Sequence, residues 1–227
     1  MQEFYPVLEQ CPLFDGIAKE ELVGLLGCLG SRMQVAAKGQ TVFREGDPAT
    51  HVGIVLRGAV QMERQDFYGN RSIVAYMGPG ALFGESYACA GIELLPISVV
   101  ADEDSTVLLI DARRITVCCS NACAFHSRII FNMLRLVANM NLVFDQKIQV
   151  TSKRTTREKL MAYLMSQMKL QNSSSFAIPY DRQELADYLE VDRSGLSVEI
   201  SKLRKEGVLE CKKNRFTLLQ CACREAD

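Results

Sequence analysis

The sequence predicts an α+β protein with a β barrel or sandwich first, then a long helix, then a winged helix-turn-helix. Three observations support this prediction. Short strand-like runs fill residues 33–111, apolar residues repeat at heptad spacing through residues 124–150, and residues 181–207 match two helices joined by a three-residue turn. The chain has 227 residues, a length that suggests one large domain or two small ones. Its composition, 48% hydrophobic and 23% charged, is close to that of globular proteins with packed cores.

The N-terminal part begins with a predicted helix and continues as strands. Leucines in residues 12–30 recur at spacings of three and four, as on one face of a helix. The strand-like runs that follow are residues 41–43, 53–56, 59–62, 72–76 and 106–110. Glycine-containing turn signals separate them, namely Gly46-Asp47-Pro48, Gly58, Gly69-Asn70 and Gly78-Pro79-Gly80. Many short strands at close spacing predict a barrel or sandwich, and a jelly roll is one such fold.

Residues 124–150 are predicted to form one long helix with two apolar stripes. The first stripe has heptad spacing and includes one Asn, a pattern that fixes the register of two-stranded coiled coils; its members are Ile130, Leu134, Val137, Asn141, Phe144 and Ile148. The second stripe contains Ile129, Met133, Leu136, Met140 and Val143. We expect one stripe to face a second copy of the chain and the other to face the protein's own core. The alternative is a core helix within a single chain.

The C-terminal part restarts as a helix, for which Thr151 and Ser152 are the predicted N-caps. Its strongest pattern is a helix over residues 181–189, a turn over 190–192 and a longer helix over 193–207. Asp181 and Asp192 are placed to cap the two helices. An inner apolar stripe supports the second helix, and after Gly207 two apolar runs flank a basic tip, as in the hairpin of a winged domain.

The outer face of the second helix has the residues that a reader of the DNA major groove needs. Arg193 can donate two parallel hydrogen bonds to a guanine, and short serine side chains permit close approach to the bases. Polar and basic residues at the first helix N-terminus and at the hairpin tip suit phosphates. The predicted DNA-binding residues are Arg182, Gln183, Arg193, Ser194, Ser197, Lys202, Lys213 and Arg215.

Charge is distributed unevenly along the chain, although the net charge is only −1. Residues 1–150 carry 12 Lys+Arg against 16 Asp+Glu, which is a net charge of −4. Residues 151–227 carry 14 against 11, which is a net charge of +3. Residues 193–215 hold seven basic and three acidic side chains, which favours a polyanion site over its alternative, a solvated helix face. We found no signal-peptide pattern and no long apolar run, so we expect a cytoplasmic protein that does not bind membranes and keeps its nine cysteines reduced.

The whole chain resembles the CRP/FNR superfamily of bacterial transcription regulators. The matching segments are Lys38-Gly39 through Gly46-Asp47, the Gly58 turn, Phe83-Gly84-Glu85, the long helix and Asp181 through Ala186. The resemblance implies a cyclic-nucleotide-binding-like jelly-roll effector domain over residues 1–123, a dimerisation helix over 124–150 and a winged helix-turn-helix DNA-binding domain over 151–227. It also implies a homodimer that binds inverted-repeat operators on double-stranded DNA under the control of a small-molecule or redox effector, with RNA polymerase as a further candidate partner.

Departures from the family pattern bear on the effector. In relatives that bind cyclic AMP, Gly-Glu precedes a short helix and an Arg-Ser pair; here Gly84 and Glu85 match, but the Arg position holds Ile97. Without a guanidinium, the cost of desolvating the negative charge of a buried cyclic phosphate would be poorly compensated, so we do not expect cyclic AMP to be the effector. The recognition helix departs too, with Val198 and Ser194 at positions where relatives carry Arg and Glu. The candidate effector-binding residues are Gly84, Glu85, Ser86, Ile97, Ser98 and Phe144, and the cofactor is unknown.

The cysteines leave several functions open. Cys119, Cys123 and His126 would share one helix face and could hold zinc, and Cys89 could be a redox thiol, although packing thiols are the alternative for each. Cys11 and Cys28 are too few for an N-terminal iron–sulfur cluster. A thiol- or metal-based redox sensor, or a ligand-sensing module acting on a protein partner, therefore stands beside the DNA-binding regulator. We found no catalytic motif and do not expect an enzyme.

Overall fold

The computed structural model of the chain describes residues 2–116 and 124–219. The chain divides into two compact units: Met1–Asn70 with Val74–Val143, and Arg71–Ile73 with Phe144–Asp227. None of the helices in the described part is long and apolar enough to cross a membrane. The domain boundaries expected from the sequence, after residues 123 and 150, stay a prediction.

The first unit opens with helical turns that cover one side of its core. Two 3₁₀ turns, Gln2–Phe4 and Pro12–Phe14, flank the helix α1 (Tyr5–Gln10), and α2 spans Lys19–Cys28. Leu22, Leu25 and Leu26 of α2 are buried, in agreement with the helical spacing of the leucines in the sequence. These side chains join an apolar cluster with Val52, Ile54 and others of the barrel.

The barrel consists of two four-stranded antiparallel sheets. Its strands are β1 (Arg32–Ala36), β2 (Thr41–Phe43), β3 (His51–Arg57), β4 (Val60–Gln65), β5 (Arg71–Met77), β6 (Leu82–Phe83), β7 (Ser98–Ala101) and β8 (Ser105–Asp111). One sheet has the order β1-β8-β3-β6 and the other β2-β7-β4-β5. The short helix α3 (Glu85–Ala90) follows β6, and α4 (Ala112–Thr116) follows β8. The β-rich N-terminal domain predicted from the sequence is confirmed.

The long helix is α5 (Ala124–Thr151), one residue longer than the heptad pattern predicts. Its two stripes have different surroundings. Ile129 and Met133 of the second stripe are buried in the core of the first unit, whereas Leu134 and Ile148 of the first stripe are 66% and 62% exposed. Exposed apolar side chains at both ends of this stripe leave a face of the helix available for a partner.

The prediction that Thr151 and Ser152 cap the helix after α5 was wrong. Thr151 is the last residue of α5, and its hydroxyl donates to the carbonyl of Lys147 at 3.0 Å. The next helix, α6, spans Thr156–Leu170 and is capped by Thr155. Thr155 Oγ1 accepts from the Glu158 amide at 3.2 Å, and the Glu158 carboxylate accepts from the Thr155 amide at 3.0 Å. This reciprocal pair satisfies two backbone donors, which a single hydroxyl at Thr151 or Ser152 could not do.

The rest of the second unit is a winged helix-turn-helix, as predicted. A short strand β9 (Ser175–Ala177) precedes the helices α7 (Arg182–Leu189) and α8 (Arg193–Lys205). The hairpin of β10 (Leu209–Lys212) and β11 (Arg215–Leu218), called the wing below, then pairs with β9 in the order β10-β11-β9. Lys213 and Asn214 form the tip of the wing.

Candidate nucleic-acid interface

The helix-turn-helix is fixed by aspartate caps at both helix N-termini. Asp181 accepts from the Glu184 amide at 2.9 Å, and the Glu184 carboxylate accepts from the Asp181 amide at 2.7 Å. Asp192 accepts from the Gly195 amide at 2.8 Å and from the Ser194 hydroxyl. These two hydrogen bonds, that of Ser194 first, lower the pKa of Asp192. Both caps match the sequence prediction, and they fix where α8 begins.

The inner faces of the two helices pack against each other. Leu185, Ala186 and Leu189 of α7 are buried, as is the predicted inner stripe of α8, which consists of Leu196, Ile200 and Leu203. Ala186 is wholly buried, and its small side chain suits the close crossing of the two helices. This apolar contact leaves the opposite side of α8 available for a ligand.

The outer side of α8 is polar and accessible. Arg193, Ser194 and Lys202 are exposed, and Ser197 is half-buried. The serine hydroxyls already donate within the helix, since Ser197 donates to the carbonyl of Arg193 at 2.9 Å and Ser194 donates to Asp192. Their oxygens can still accept hydrogen bonds, while the Arg193 guanidinium supplies donors to base edges or phosphates.

Arg182 and Gln183, predicted to bind phosphate, are partly engaged inside the unit. The Arg182 guanidinium lies 3.7 Å from the Cys211 sulfur and 5.8 Å from the Phe216 ring centre, so it connects α7 to the wing. Its Nη1 is buried without a hydrogen-bond partner among the residues that the structure describes. Gln183 is exposed, and its amide donates to Asp187 at 2.8 Å. The role of both residues at phosphates stays a prediction.

A cleft of about 670 Å³ lies between the end of α8 and the wing. Its basic side chains outnumber its one acidic side chain; the lining residues are Ser201, Arg204, Lys205, Leu209, Glu210, Cys211, Lys212, Arg215 and Thr217. Of the predicted basic residues of the wing, Arg215 lines this cleft, and Lys213 is exposed at the tip with a positive φ of 57°. Arg204 and Lys212 were absent from the predicted site, although the basic run from 193 to 215 was the signal that could have found them.

The predicted effector-binding residues of the first unit surround the start of α3. Gly84 has a φ of +81°, and a Cβ there would lie 3.0 Å from the Phe43 ring, so glycine suits this position both conformationally and sterically. Glu85 is only 2% exposed. Its Oε1 accepts from the Ser86 hydroxyl at 3.3 Å, whereas its Oε2 has no hydrogen-bond partner within residues 2–116 and 124–219. Burial raises the pKa of Glu85.

The other predicted effector residues have separate environments. Ile97 is wholly buried in an apolar cluster that includes Phe83 and Val99. The Ser98 hydroxyl accepts from the Glu45 amide at 3.0 Å. Phe144 is half-buried on α5 and belongs to the second compact unit. The role of these positions in effector binding stays a prediction.

The predicted metal and redox residues are only partly described. Cys119 and Cys123 lie outside the described residues. His126 is buried, and its Nε2 lies 3.2 Å from the carbonyl oxygen of Arg114. Desolvation, and then the nearby Glu85, raise the pKa of Cys89, which disfavours the reactive thiolate. In the described part of the chain, no group of three His, Cys, Asp or Glu side chains is arranged to hold a metal ion.

Comparison with known proteins extends this picture to both units. The profile of the cyclic nucleotide-binding domain family matches residues 33–121, and that of the Crp-like helix-turn-helix domain matches residues 158–222. Among solved structures, CLP of Xanthomonas campestris aligns with a TM-score of 0.73 at 17% identity, over 88% of this chain and 99% of that one. FixK2 of Bradyrhizobium japonicum aligns with a TM-score of 0.68 at 20% identity, over 86% and 96%. At these identities the two structures establish the shared fold.

Curated relatives match over most of their length. The cyclic AMP receptor protein of Thermus thermophilus is 25% identical over 207 residues, which are 87% of this chain and 88% of that protein. The transcriptional activator protein FnrA of Stutzerimonas stutzeri is 22% identical over 187 residues, 80% of this chain and 74% of that protein. With a cyclic nucleotide-binding family match over residues 33–121, a Crp-like helix-turn-helix match over residues 158–222 and these two relatives along most of its length, the chain belongs to the CRP/FNR superfamily of transcription regulators.

Proposed function

We propose that the protein binds inverted-repeat DNA as a homodimer through α8 and the wing, under the control of an effector bound by the barrel. The observation that carries this proposal is the exposed outer side of α8, with Arg193 in its first turn, beside a basic cleft. A supported helix with this composition is what enters the major groove in helix-turn-helix proteins. The wing residues Lys213 and Arg215 are placed to contact phosphates, which position the protein without reading sequence.

The exposed stripe of α5 supports the homodimer. Leu134 and Ile148 are each more than 60% exposed, which is costly for such apolar side chains in water. A second copy of the same helix, packed at heptad spacing, would cover this stripe symmetrically. Two recognition helices related by a twofold axis then read half-sites about 34 Å apart along the duplex.

Glu85 supports an effector site whose ligand donates hydrogen bonds. Its Oε2 is a buried acceptor without a partner among the described side chains and amides, an arrangement that a donor group of a ligand would satisfy. Ile97 offers no positive charge to a phosphate, so we propose an effector other than cyclic AMP, although one curated relative is a cyclic AMP receptor protein.

We also propose that the protein has no catalytic role, acts in the cytoplasm where the chromosome lies, and contacts RNA polymerase when it regulates transcription.

The test is selection of DNA by the full-length protein. Wild-type protein is incubated at low salt with a random library of duplexes, and the bound fraction is sequenced after several rounds. We expect enrichment of an inverted repeat, bound by two chains as measured by sedimentation. Binding with no sequence preference would contradict the proposed reading by α8, and absence of any binding at low salt would contradict the DNA interface as a whole.

A further inference from the structure

Lys147, near the C-terminal end of α5, is a buried cation inside the second unit. The residue is 9% exposed. Its Nζ donates to the carbonyl oxygen of Tyr188, lies 4.2 Å from the centre of the Tyr188 ring, and lies 3.8 Å from the Glu190 carboxylate. It also donates at 2.9 Å to the carbonyl of Ile73, a residue that groups with this unit. Lys147 therefore contacts the end of α7 and the turn of the helix-turn-helix.

A second lysine binds the same helix end. Lys159 of α6 donates from its Nζ to the carbonyls of Leu189 and Glu190, each at 3.3 Å. The last carbonyls of a helix have no partner within the helix, and cations near them are favoured by the helix dipole. Lysines from α5 and α6 thus donate hydrogen bonds to the last carbonyls of α7.

Glu190 has a backbone conformation that is unfavourable for its residue type. It ends α7 with φ 54° and ψ 55°, in the left-handed region where a Cβ is crowded and glycine is the easiest residue. Its carboxylate approaches Lys147 and also accepts from the Ser72 hydroxyl at 3.2 Å. A glycine would relieve the backbone but would remove the carboxylate from Lys147.

Lys147 is also held at a cost. Burial lowers its pKa to about 8, because desolvation of the ammonium outweighs the attraction of the Glu190 carboxylate. The nearby Lys159 ammonium also lowers this pKa. An apolar side chain at position 147 would avoid the cost of burying an ammonium, and a glycine at position 190 would relieve the backbone, but neither would connect the end of α5 to the turn after α7.

We propose that Lys147 and Glu190 form a latch that fixes the direction of α8 relative to the C-terminal end of α5. Because α5 is the proposed dimerisation helix, this direction sets the separation of the two recognition helices. Both residues are positioning residues for DNA reading and do not contact the DNA. The inference rests on the proposed homodimer on an inverted repeat.

The first experiment needs no DNA. The amides of Glu190 and Val191 both donate to the carbonyl of Ala186, so their hydrogen exchange reports opening of the turn. We expect Lys147→Met to speed their exchange about tenfold, with a smaller change at amides of the second unit that lie away from the turn. Lys147→Arg, which keeps the charge, should restore part of the protection, and Lys169→Met on the exposed end of α6 is the matched control. Unchanged exchange in Lys147→Met would overturn the latch.

The second experiment measures DNA spacing. The probe is the inverted repeat selected by wild-type protein, together with versions that have one base pair added or removed at its centre. We expect wild type to prefer the selected spacing by about tenfold, and Lys147→Met and Glu190→Gly to lose most of this preference. Glu190→Gly should have a urea midpoint at least as high as that of wild type. If Glu190 only stabilised the fold, a variant of unchanged stability would also keep its preference for the selected spacing.

The outcomes separate the two claims. If wild type selects no inverted repeat, the proposed function fails and the exchange experiment alone judges the latch. If wild type prefers its spacing and Lys147→Met keeps the same preference while folded, the latch is wrong and the proposed function stands.

Discussion

The outer side of α8 and the surroundings of Glu85 are both polar, and they differ in how their polar groups are satisfied. On α8, Arg193 is exposed to water, and the hydroxyls of Ser194 and Ser197 donate within their own helix. Around Glu85, the carboxyl is 2% exposed, and one of its oxygens has no partner among the described residues. The first site is complete without a ligand, whereas the second leaves a buried acceptor that a ligand could use.

This difference explains why one ligand can be inferred from the sequence and the other cannot. Every DNA duplex presents the same phosphate spacing and a small set of base edges, so a basic, short-chained helix face is a general signature. A small effector is recognised by a few side chains in a buried site, and these can change without altering the barrel. We interpret Ile97, at the position where the resemblance to the family places an arginine, as such a change.

The largest effect that would test the DNA side of this comparison is the effect of salt. A face that neutralises several phosphates releases counterions, so raising salt from about 50 to about 200 mM should weaken binding of the selected duplex about a thousandfold. The measurement is fluorescence anisotropy with the wild-type protein. Lys212→Ala and Arg215→Ala in the wing cleft should each lower the salt slope by about one per removed contact. A slope unchanged by both variants would remove the cleft from the interface.

Arg193→Ala should have the next largest effect. Loss of a bidentate contact to guanine is expected to weaken binding to the selected operator by about tenfold to a hundredfold per half-site. Binding to a duplex of unrelated sequence should change far less, because that binding depends on phosphates. Lys169→Ala, which removes a charge from the exposed end of α6, is the control. Equal losses on both duplexes would make Arg193 a phosphate contact.

Asp192→Ala tests whether the cap that fixes the start of α8 matters for reading. Removal of an aspartate N-cap costs about 1 kcal/mol, and it would free both the Gly195 amide and the Ser194 hydroxyl. We expect a lower free energy of unfolding in urea and about fivefold weaker operator binding, with Asp192→Asn keeping most of both. A stability loss without a binding loss would show that α8 keeps its start without this cap.

Much of the fold followed from local patterns in the sequence. The strands β3, β4 and β5 coincide with apolar runs between glycine turns, β8 coincides with the apolar run 106–110, and α7 and α8 coincide with capped helical spacing. The start of α6 was misplaced because Thr151 and Ser152 looked like caps, while the reciprocal pair of Thr155 and Glu158 decided the boundary. Several residues near the start of α6 have a high propensity to cap a helix. The helix begins where one of them, Thr155, forms a reciprocal pair that satisfies two backbone amides.

The sites were predictable to different degrees. The exposure of Arg193 and the burial of Leu196 follow from helical periodicity, so the outer side of α8 could be assigned from sequence. The position of the Arg182 guanidinium against Cys211 and Phe216 could not, because it depends on how the wing folds back. The contacts of Lys147 with Tyr188 and Glu190 join residues about 40 positions apart, and no spacing rule relates them.

Glu85→Gln should give the smallest effect, and it tests the effector side of the comparison. Because burial raises the pKa of Glu85, the unfolded chain releases this proton at a lower pH than the folded chain does. Its stabilising contribution is therefore full below the ordinary carboxyl pKa and is lost as pH rises through the raised value. Glutamine keeps the shape but cannot ionise, so the free energy of unfolding of wild type relative to Glu85→Gln should fall as the pH rises from the ordinary carboxyl pKa through the raised pKa of Glu85.

Urea unfolding of both proteins across this range is the measurement, with Glu93→Gln at an exposed position as control. A ligand that donates a hydrogen bond to Oε2 would favour the ionised carboxylate and reduce the fall, because a donor satisfies the charge that burial disfavours. A flat difference without any ligand would mean that the Glu85 carboxyl is as well accommodated as the polar groups of α8. The contrast between a satisfied reading face and an unsatisfied effector site would then disappear.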